Sequence, residues 1–411
     1  MSSAEQAEKL ETRCCIAGGG PAGMMLGLLL ARAGVPVLVL EKHGDFLRDF
    51  RGDTVHPSTM EVLAQLGLLE EFLRRPHEEI RQLSLVVSGE RLQLADFSHL
   101  RTPAPFVALM PQWDFLDFLA EHARRLSSFS LRMRTEATDL LREGGRVVGL
   151  CARGERGPLE IRCDLAVAAD GRHSVLRERA GLESDDLGAP IDVLWLRLSR
   201  EPGDERQVLG HLARGRLFVM LDRGDYWQCA FVIAKGGYDA IRAKGIEALR
   251  HEIAELVPFL RDRVAELGSW DDVRLLTVRV DRLREWSRPG LLCIGDAAHA
   301  MSPVGGVGIN LAIQDAVAAA NLLAGPLHAG APTAEALRAV QERRLLPTRL
   351  VQRVQVFVHD NVIAPTLGGA VPRAPFFVRW FAAVPALRRL PARFVGLGVR
   401  RERVSERILH P

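Results

Sequence analysis

The chain has 411 residues, of which 47% are hydrophobic and 26% are charged, a balance typical of a folded globular protein of two or three domains. Its 54 Lys and Arg residues against 51 Asp and Glu residues give a net charge of only +3, which argues against nucleic acid as a partner. The polar start and the lack of a charge-free run of ~20 apolar residues predict neither a signal peptide nor a membrane span, and therefore a cytoplasmic protein.

Six cysteines occur without any C-x-x-C spacing or paired histidine ligands, so the sequence predicts no metal site. Most of them lie in apolar, strand-like runs, where a thiol is typically a small buried hydrophobic group. They are Cys14, Cys15, Cys151, Cys163, Cys229 and Cys293.

The first pattern that carries chemistry is a glycine-rich loop between a strand and a helix. Apolar residues 14–17 precede G-G-G-P-A-G, a helical run follows, and a β-branched strand over residues 35–40 ends at Glu41. Such a βαβ unit offers loop amides and a helix N-terminus to a pyrophosphate. Glu41, 18 residues after Gly23, is placed to hold a ribose diol and would repel the 2′-phosphate of NADP. The unit predicts a site for FAD or NAD.

The middle of the chain, residues 191–280, predicts alternating strands, and the D-R-G-D turn at residues 222–225 indicates a hairpin. Residues 81–94 are expected to join the same sheet. One hairpin face would carry Phe218, Met220, Trp227, Cys229, Phe231 and Ile233. The other would carry Leu217, Leu221, Tyr226, Gln228 and Val232. The aromatic face is more typical of sheet core than of a ligand pocket, although it would also suit a hydrophobic substrate.

A second strand, loop and helix lie in the last third of the chain. Residues 291–294 predict a strand that ends at Gly295 and Asp296, a glycine-rich loop covers residues 303–308, and a helix of small residues begins near Asn310. This arrangement is a second candidate anion site.

The tail, residues 341–411, holds 13 arginines and four acidic residues and predicts short amphipathic helices. The pattern favours helices packed on the rest of the protein with their arginines outward. The alternative is peripheral contact with the inner face of an anionic membrane, which would suit a lipophilic substrate.

Three motifs that follow one another along the chain resemble those of the single-component flavoprotein aromatic hydroxylases. This is the para-hydroxybenzoate hydroxylase-like family, which includes ubiquinone-biosynthesis hydroxylases. They are the glycine loop at residues 18–23, the DG motif A-D-G-R-H-S-V-L-R at residues 169–177, and the GD motif at residues 295–296 with its trailing P-V-G-G-V-G-I-N. Two smaller matches are F-R-G-D-T-V-H-P-S-T-M-E-V-L and M-P-Q-W-D-F-L-D-F-L. The resemblance extends over roughly residues 13–315.

The resemblance implies an α/β fold, in which a Rossmann-like FAD-binding domain carries an inserted mixed β-sheet substrate domain and a helical C-terminal tail. The expected segments are residues 10–80, 111–185 and 285–345 for the FAD-binding domain, 81–110 and 186–284 for the substrate domain, and 346–411 for the tail.

The resemblance also implies a set of FAD-binding residues. The glycine loop would cradle the pyrophosphate, Arg51 would bind the diphosphate, Glu41 the adenosine ribose and Asp296 the ribityl chain. The complete set is Gly18, Gly20, Ala22, Gly23, Glu41, Lys42, Arg51, Gln112, Asp170, Asp296, Pro303, Gly308, Ile309 and Asn310.

Other roles concern the flavin edge and the DG motif. The amides of Gly308 and Ile309 would face the N1/O2 edge of the ring, where negative charge accumulates on reduction, although Val307 replaces the polar residue often found before them. Asp170 and Arg177 would line a wall shared by FAD and NAD(P)H, or Asp170 or Ser174 would simply cap the next helix. His299 has no carboxylate or hydroxyl partner at evident spacing, which favours a structural or NAD(P)H-proximal role over a general base.

The implied function is monooxygenation of an aromatic or otherwise apolar small molecule by FAD, NAD(P)H and O2, through a flavin hydroperoxide kept from water. The polar candidates for a base are Tyr226, Arg197, His211 and Asp222, each of which is as readily an exposed loop or edge group. Alternatives are a flavin-dependent reductase or dehydrogenase of the geranylgeranyl-reductase type and a non-catalytic flavin-binding protein. A halogenase is disfavoured because its W-x-W-x-I-P stretch is missing.

Overall fold

The computed structural model describes residues 7–47, 54–204, 208–371 and 376–410. Its strands are, in chain order, β1 (Glu8–Ala17), β2 (Val37–Leu40), β3 (Thr54–Val55), β4 (Glu78–Ile80), β5 (Gln82–Val87), β6 (Glu90–Asp96), β7 (Val107–Leu109), β8 (Phe129–Arg132), β9 (Glu136–Glu143), β10 (Arg146–Gly154), β11 (Gly157–Ala168), β12 (Ser184–Asp186), β13 (Ile191–Ser199), β14 (Val208–Ala213), β15 (Arg216–Asp222), β16 (Tyr226–Ala234), β17 (Arg274–Leu276), β18 (Asp281–Leu283), β19 (Ser287–Arg288) and β20 (Leu291–Cys293). Its α-helices are α1 (Pro21–Arg32), α2 (Pro57–Gln65), α3 (Leu69–Leu73), α4 (Gln112–Ala123), α5 (Val175–Arg179), α6 (Tyr238–Ala243), α7 (Ile246–Leu256), α8 (Gly308–Ala329), α9 (Ala334–Val358), α10 (Ala364–Leu367), α11 (Phe376–Ala383), α12 (Arg389–Leu397) and α13 (Glu406–Leu409).

The larger sheet has the strand order β19-β20-β11-β1-β2-β8, and β10 and β9 extend it from β11. Strands β20, β11, β1, β2 and β8 run parallel to one another. Strand β1 begins at Glu8, earlier than the expected residue 14, because its first residues pair with β11. Helices pack against these strands, which explains why the ends of β1 and β2 are continuous apolar runs.

The cysteines behave as the sequence predicts for small hydrophobic groups. Cys14, Cys15, Cys229 and Cys293 are buried, and no cysteine is in a disulfide in the described residues. Burial raises the pKa of the Cys163 thiol to about 12, so this thiol stays protonated and unreactive near neutral pH.

The second sheet has the strand order β17-β13-β16-β15-β14-β5-β6. Strands β15 and β16 form the predicted hairpin, and β5 pairs in parallel with β14. The expectation of strands throughout residues 191–280 is wrong, because α6 and α7 follow the hairpin. In α7, Leu249 and Ile253 lie four residues apart and are buried, which is the helical apolar spacing.

The hairpin faces pack against different partners. The face that carries Phe218 and Trp227 forms one core with Leu249 and Ile253 of α7, so the interpretation of the aromatic stripe as core is confirmed. The opposite face lies in a cluster with Val304 from the glycine-rich loop and with segment 358–367. The aliphatic face of this sheet therefore faces the second glycine-rich motif.

The two longest helices, α8 and α9, pack on each other and on the larger sheet's domain. Helix α8, extended back to Val304, is long and apolar enough to cross a membrane, but 83% of its most apolar window is buried within the fold. In the tail, Ala392 and Gly396 of α12 pack closely, and a Cβ on Gly396 would lie 3.2 Å from Phe97 and from Pro57. The tail helix α12 is thus packed against β6 of the second sheet and against α2.

Candidate cofactor and substrate site

The carboxyl ends of four neighbouring parallel strands lie in register. Ala17 at the end of β1 pairs with Ala168 of β11 and with Leu40 of β2, and Ala168 pairs with Cys293 of β20. The segments that follow these strands are the glycine loop, Glu41, the DG motif and the GD motif. Ligands of open parallel sheets bind at this edge, so the sequence-predicted motifs converge at one site.

The glycines of the first loop differ in how closely other atoms surround them. Gly18 has φ 107°, a value that favours glycine, and a Cβ there would lie 2.2 Å from the carbonyl oxygen of Ala169. A Cβ at Gly23 would lie 1.9 Å from the carbonyl oxygen of Gly18. At Gly20, by contrast, no atom of the described residues beyond its chain neighbours lies within 4 Å of a Cβ position. The loop is close-packed on the inside and open at Gly20.

Helix α1 begins at this open side of the loop. Gly20 is its N-cap residue, no side chain caps it, and its first turn holds no acidic residue. The first amides of a helix lack partners within the helix, and the positive end of its dipole points outward from them. The N–H groups of Ala22 and Gly23 therefore suit a pyrophosphate, which is the group that the sequence predicts here.

The carboxylate of Glu41 lies against the glycine loop. Its Oε2 accepts a hydrogen bond from the Gly19 amide at 3.0 Å, its Oε1 accepts one from the His43 amide at 3.0 Å, and the side chain is buried. This position beside the loop fits a ribose-binding role. Lys42 is exposed, and Arg51 lies outside the described residues.

Asp170 of the DG motif contacts the start of α5, as the capping interpretation expects, and its role toward a cofactor stays a prediction. Its Oδ2 accepts a hydrogen bond from the Leu176 amide at 3.3 Å, while Ser174 caps α5 through the Arg177 amide at 3.0 Å. Its Oδ1 is buried without a hydrogen-bond partner among the described residues. Burial raises the pKa of Asp170, and the free oxygen fits a contact with a bound cofactor.

The DG and GD motifs are tied together by arginines. Arg177 donates to the Ala297 carbonyl oxygen at 3.4 Å and lies 3.5 Å from the buried carboxylate of Asp281. Arg172 lies 3.4 Å from the carboxylate of Asp296. Arg177 itself is buried, so its immediate role is to join the two motifs.

The two glycine-rich motifs are in direct contact. Gly295 has φ 59°, and a Cβ there would lie 3.0 Å from the Cβ of Ala22 in α1. Its amide donates to Asp315 of α8 at 3.1 Å. The convergence expected from sequence is present, and close packing at Gly295 explains why glycine occupies this position.

The segment after β3 fixes the loop of residues 303–308. Thr54 Oγ1 donates to the Gly306 carbonyl oxygen at 2.8 Å, and His56 Nε2 lies 2.9 Å from the same oxygen. Ser58 and Thr59 donate from their hydroxyls to Asn310 Oδ1 at 2.5 and 3.0 Å. The sequence placed these residues only in a smaller motif match, and their contacts are decided by the fold.

The start of α8 lies directly behind this loop. The helix begins at Gly308, has no side-chain cap, and has no acidic residue in its first turn. The amides of Gly308 and Ile309 are thus suited to negative charge. Pro303 begins the preceding 3₁₀ turn, and Gln112 is the first residue of α4.

His299 has a partner that the sequence analysis did not find. Its Nε2 lies 2.6 Å from Asp315 Oδ2, and Arg344 Nε donates to Asp315 Oδ1 at 2.9 Å, all three side chains being buried. Burial raises the pKa of Asp315, but the positive groups outweigh this effect and its net pKa is lowered. The expectation that His299 lacks a carboxylate partner is wrong, since the partner lies 16 residues away on the facing helix.

The structure places three of the four candidate bases at the hairpin end of the second sheet. Asp222 accepts from the Gly224 amide at 2.9 Å and pairs with Arg200 at 3.0 Å. The Arg197 guanidinium lies 3.8 Å from the ring centre of Tyr226, and the Arg197 side chain is 58% exposed. These contacts are those of turn and edge groups.

The fourth candidate base, His211, lies on the same face of this sheet as Asp222, which opposes Trp227, and on the face opposite to Tyr226 and Arg197. It pairs with Phe218 across strands β14 and β15, and directly opposed residues share a face. That face packs on α7, away from Val304. Nothing in these positions brings the four candidates together.

The face toward Val304 carries two buried donors that sequence reasoning missed. Trp195 of β13 lies opposite Ala230 of β16, and Gln228 lies two residues along β16 on the same face. Trp195 Nε1 and Gln228 Nε2 are buried without hydrogen-bond partners among the described residues. Arg223 Nε donates to Gln228 Oε1 at 3.2 Å, and burial lowers the pKa of Arg223 to about 10.

Known proteins are similar to this chain in sequence. A family described as "FAD binding domain" matches residues 11–354. The 6-methylpretetramide 4-monooxygenase of Streptomyces rimosus is 35% identical over 352 residues, which are 85% of this chain and 84% of that protein. The para-nitrophenol 4-monooxygenase of Pseudomonas sp. (strain WBC-3) is 25% identical over 332 residues, 77% of this chain and 79% of that protein.

A solved structure agrees in fold. That of p-nitrophenol 4-monooxygenase from Pseudomonas putida DLL-E4 has a TM-score of 0.74 at 21% identity, and the match covers 94% of this chain and 97% of that one. Fold and site thus define an FAD-dependent oxidoreductase. The chain belongs to the FAD-binding monooxygenase family, and the predicted fold class and FAD cofactor are confirmed.

Proposed function

We propose that this FAD-dependent monooxygenase consumes NAD(P)H and O2 to hydroxylate an aromatic small molecule that is mostly apolar and carries an oxygen acceptor. The observation that carries the proposal is the pair of buried N–H donors, Trp195 Nε1 and Gln228 Nε2, on the sheet face that meets the glycine-rich loop. A buried donor without a partner costs about 1–3 kcal/mol, and a substrate oxygen would remove that cost.

The residues described above would hold the cofactor at both ends. The glycine loop and the amides at the start of α1 would bind the pyrophosphate, Glu41 the adenosine ribose and Asp296 the ribityl chain. The amides of Gly308 and Ile309 would stabilise negative charge at the flavin ring without reorganisation. Bound FAD, reduced by NAD(P)H, would supply the activated oxygen.

The aliphatic sheet face would exclude water from the reacting groups. Val193, Leu217, Val232 and Val304 belong to one cluster, and all but Val304 are buried. Oxygen transfer to an organic substrate competes with loss of the activated oxygen to water, so a dry wall beside the ring favours the productive reaction. An aromatic ring would pack on this wall by its apolar faces.

The polar groups would orient the ring. Because Arg223 Nε donates to Gln228 Oε1, the amide is held with Nε2 available as a donor. With a pKa of about 10, Arg223 is still charged at neutral pH. Para-nitrophenol, on which one relative acts according to its name, is an oxygen-bearing aromatic molecule of the proposed kind. No base is assigned, and Tyr226, Arg197, His211 and Asp222 remain untested candidates.

We further propose that the protein works in the cytoplasm, as its composition predicts. The alternative of peripheral membrane contact rests on the charge of the tail. The close packing of Ala392 and Gly396 in α12 supports a tail helix that is docked on the protein instead.

The test is a ligand screen on the purified, FAD-loaded protein. NADH and NADPH oxidation, O2 uptake and peroxide release are followed with phenols, nitrophenols, hydroxylated polycyclic aromatics and matched hydrocarbons that lack oxygen. We expect oxygen-bearing aromatics to accelerate nucleotide oxidation with equal O2 uptake, and an ¹⁸O label from O2 to appear in the product.

The rival functions give different results. Nucleotide oxidation that reduces the ligand without O2 uptake would indicate a reductase of the geranylgeranyl-reductase type. No nucleotide oxidation with any ligand would favour a non-catalytic flavin protein. Equal stimulation by the hydrocarbons and by their oxygenated analogues would contradict the proposed role of the two donors.

A further inference from the structure

A cleft of about 460 Å³ lies between helix α9 and the segment around β12 and β18. Its lining includes no residue of the glycine-rich motifs. The residues that line it are Leu187, Arg282, Arg349, Gln352, Arg353 and Val356. Three of these six side chains are arginines, and none is acidic.

The arginines of this cleft have no ion-paired acidic partner among the described residues. Arg349 and Arg353 lie four residues apart on α9, so they project from the same side of the helix, and both are exposed. In the described part of the chain, no carboxylate lies within ion-pair distance of Arg282, Arg349 or Arg353. Asp185, the acidic group that acts on Arg282 from β12, pairs instead with Arg284 at 2.7 Å.

Arg282 is held inside the cleft. Its Nη1 donates to Gln352 Oε1 at 2.8 Å, and Gln352 is fully buried. Burial lowers the pKa of Arg282, and the positive charges of Arg349 and Arg353 lower it further. The cleft therefore concentrates three positive charges that no ion-paired carboxylate of the described residues compensates.

We propose that this cleft binds a phosphate-bearing anion. Guanidinium groups match phosphate oxygens with paired N–H donors, and such charge-assisted bonds are stronger than neutral ones. A phosphate dianion or a diphosphate would offset the mutual repulsion of Arg282, Arg349 and Arg353. The apolar side chains of Leu187 and Val356 would contact the organic part of the ligand.

The cleft is bonded to the flavin motifs. Gln352 Nε2 donates to the carbonyl oxygens of Asp281 and Ala300 at 2.7 and 3.2 Å. The Asp281 carboxylate accepts from the Ala300 amide at 3.1 Å and pairs with Arg177 of the DG motif.

Two ligands share the required chemistry, namely the phosphates of NAD(P)H and a separate small phosphate compound.

The experiment measures binding to the oxidised, FAD-loaded protein by isothermal titration, so it needs no turnover and does not depend on the proposed hydroxylation. The probes are inorganic pyrophosphate, ADP-ribose and 2′-phospho-ADP-ribose. Variants are Arg349→Gln with Arg353→Gln, and Arg338→Gln as the control, since Arg338 is an exposed arginine of α9 outside the cleft.

We expect pyrophosphate to bind the wild type and the control alike, and to lose affinity roughly tenfold or more in the double variant, the loss typical of a charge-assisted bond. If an ADP-ribose probe shows the same loss, the ligand is the nicotinamide dinucleotide. If only pyrophosphate does, it is a separate phosphate compound. No binding by any probe, or equal binding by wild type and double variant, would overturn the proposal.

Discussion

The α-carbon of Gly23 faces the carbonyl oxygen of Gly18 so closely that a Cβ at Gly23 would lie 1.9 Å from it. A Cβ at Gly20 would have no atom of the described residues beyond its chain neighbours within 4 Å. Both glycines belong to one motif, but of the two only Gly23 is required by the folded chain itself. We propose that Gly20 is required by what the loop binds.

This difference predicts opposite effects of two alanine substitutions. Gly23→Ala should destabilise the FAD-free protein by at least about 1–3 kcal/mol, the cost of overpacking. Gly20→Ala should cost the FAD-free protein at most about 1 kcal/mol, because Gly20 is the N-cap of α1 and alanine is a poorer N-cap residue than glycine. It should weaken FAD binding, because the added methyl group occupies the open side of the loop. Urea unfolding and FAD titration separate the two, and equal losses of stability would contradict this assignment.

Asp315 is the carboxylate on which His299, Arg344 and the Gly295 amide converge. Asp315→Asn should destabilise the protein by about 1.5–3 kcal/mol, because it weakens a hydrogen bond to the buried guanidinium of Arg344, which keeps Glu402 as a second partner at 3.4 Å. The control Asp164→Asn, in a partly exposed pair with Arg13, should cost at most about 1 kcal/mol. Urea unfolding at pH 7 measures both.

The same carboxylate predicts an acid effect with a definite sign. The folded-state pKa of Asp315 is lowered from 3.8, so the unfolded chain takes up this proton first. Its stabilising contribution is complete above pH 3.8 and is lost as the pH falls below that value. Unfolding of the Asp315→Asn variant should therefore depend less steeply on pH in this range than that of the wild type.

His56 should make the protein less stable in mild acid. Its Nδ1 and Nε2 each lie 2.9 Å from a carbonyl oxygen, of Val395 and Gly306, and burial lowers its pKa from 6.5. The unfolded chain binds the proton first as the pH falls through 6.5, so stability falls there. His56→Gln should lose less stability than the wild type between pH 7.5 and 5.5. His410→Gln, at an exposed site, should not differ from wild type.

Replacing Trp195 by phenylalanine tests substrate recognition while an aromatic ring is kept in the sheet. Trp195→Phe removes the unpartnered indole N–H and should raise KM for an oxygen-bearing ligand roughly tenfold, as expected for one lost hydrogen bond, with a smaller change in kcat. The control Trp270→Phe lies in a short 3₁₀ turn outside this sheet and should leave KM unchanged. An equal KM in both variants would remove Trp195 from the substrate site.

Local sequence patterns were sufficient to predict the cofactor motifs. The strand, glycine loop and helix around Gly20 are encoded within some thirty consecutive residues, so periodicity and glycine spacing predict them. The helices α6 and α7 were missed because residues 238–256 were interpreted together with the strands before them, although Leu249 and Ile253 carry a helical spacing.

The sequence by itself determined the α/β class, the two glycine-rich motifs and the acid at residue 41, because each depends on neighbours along the chain. Only the tertiary structure decided that Asp315 would contact His299 and Arg344 and that Trp195 and Gln228 would share a sheet face. It also decided that three arginines from β18 and α9 would line one cleft. Such groupings arise from strand order and helix packing, which bring together side chains far apart in sequence and set how strongly each is screened from water.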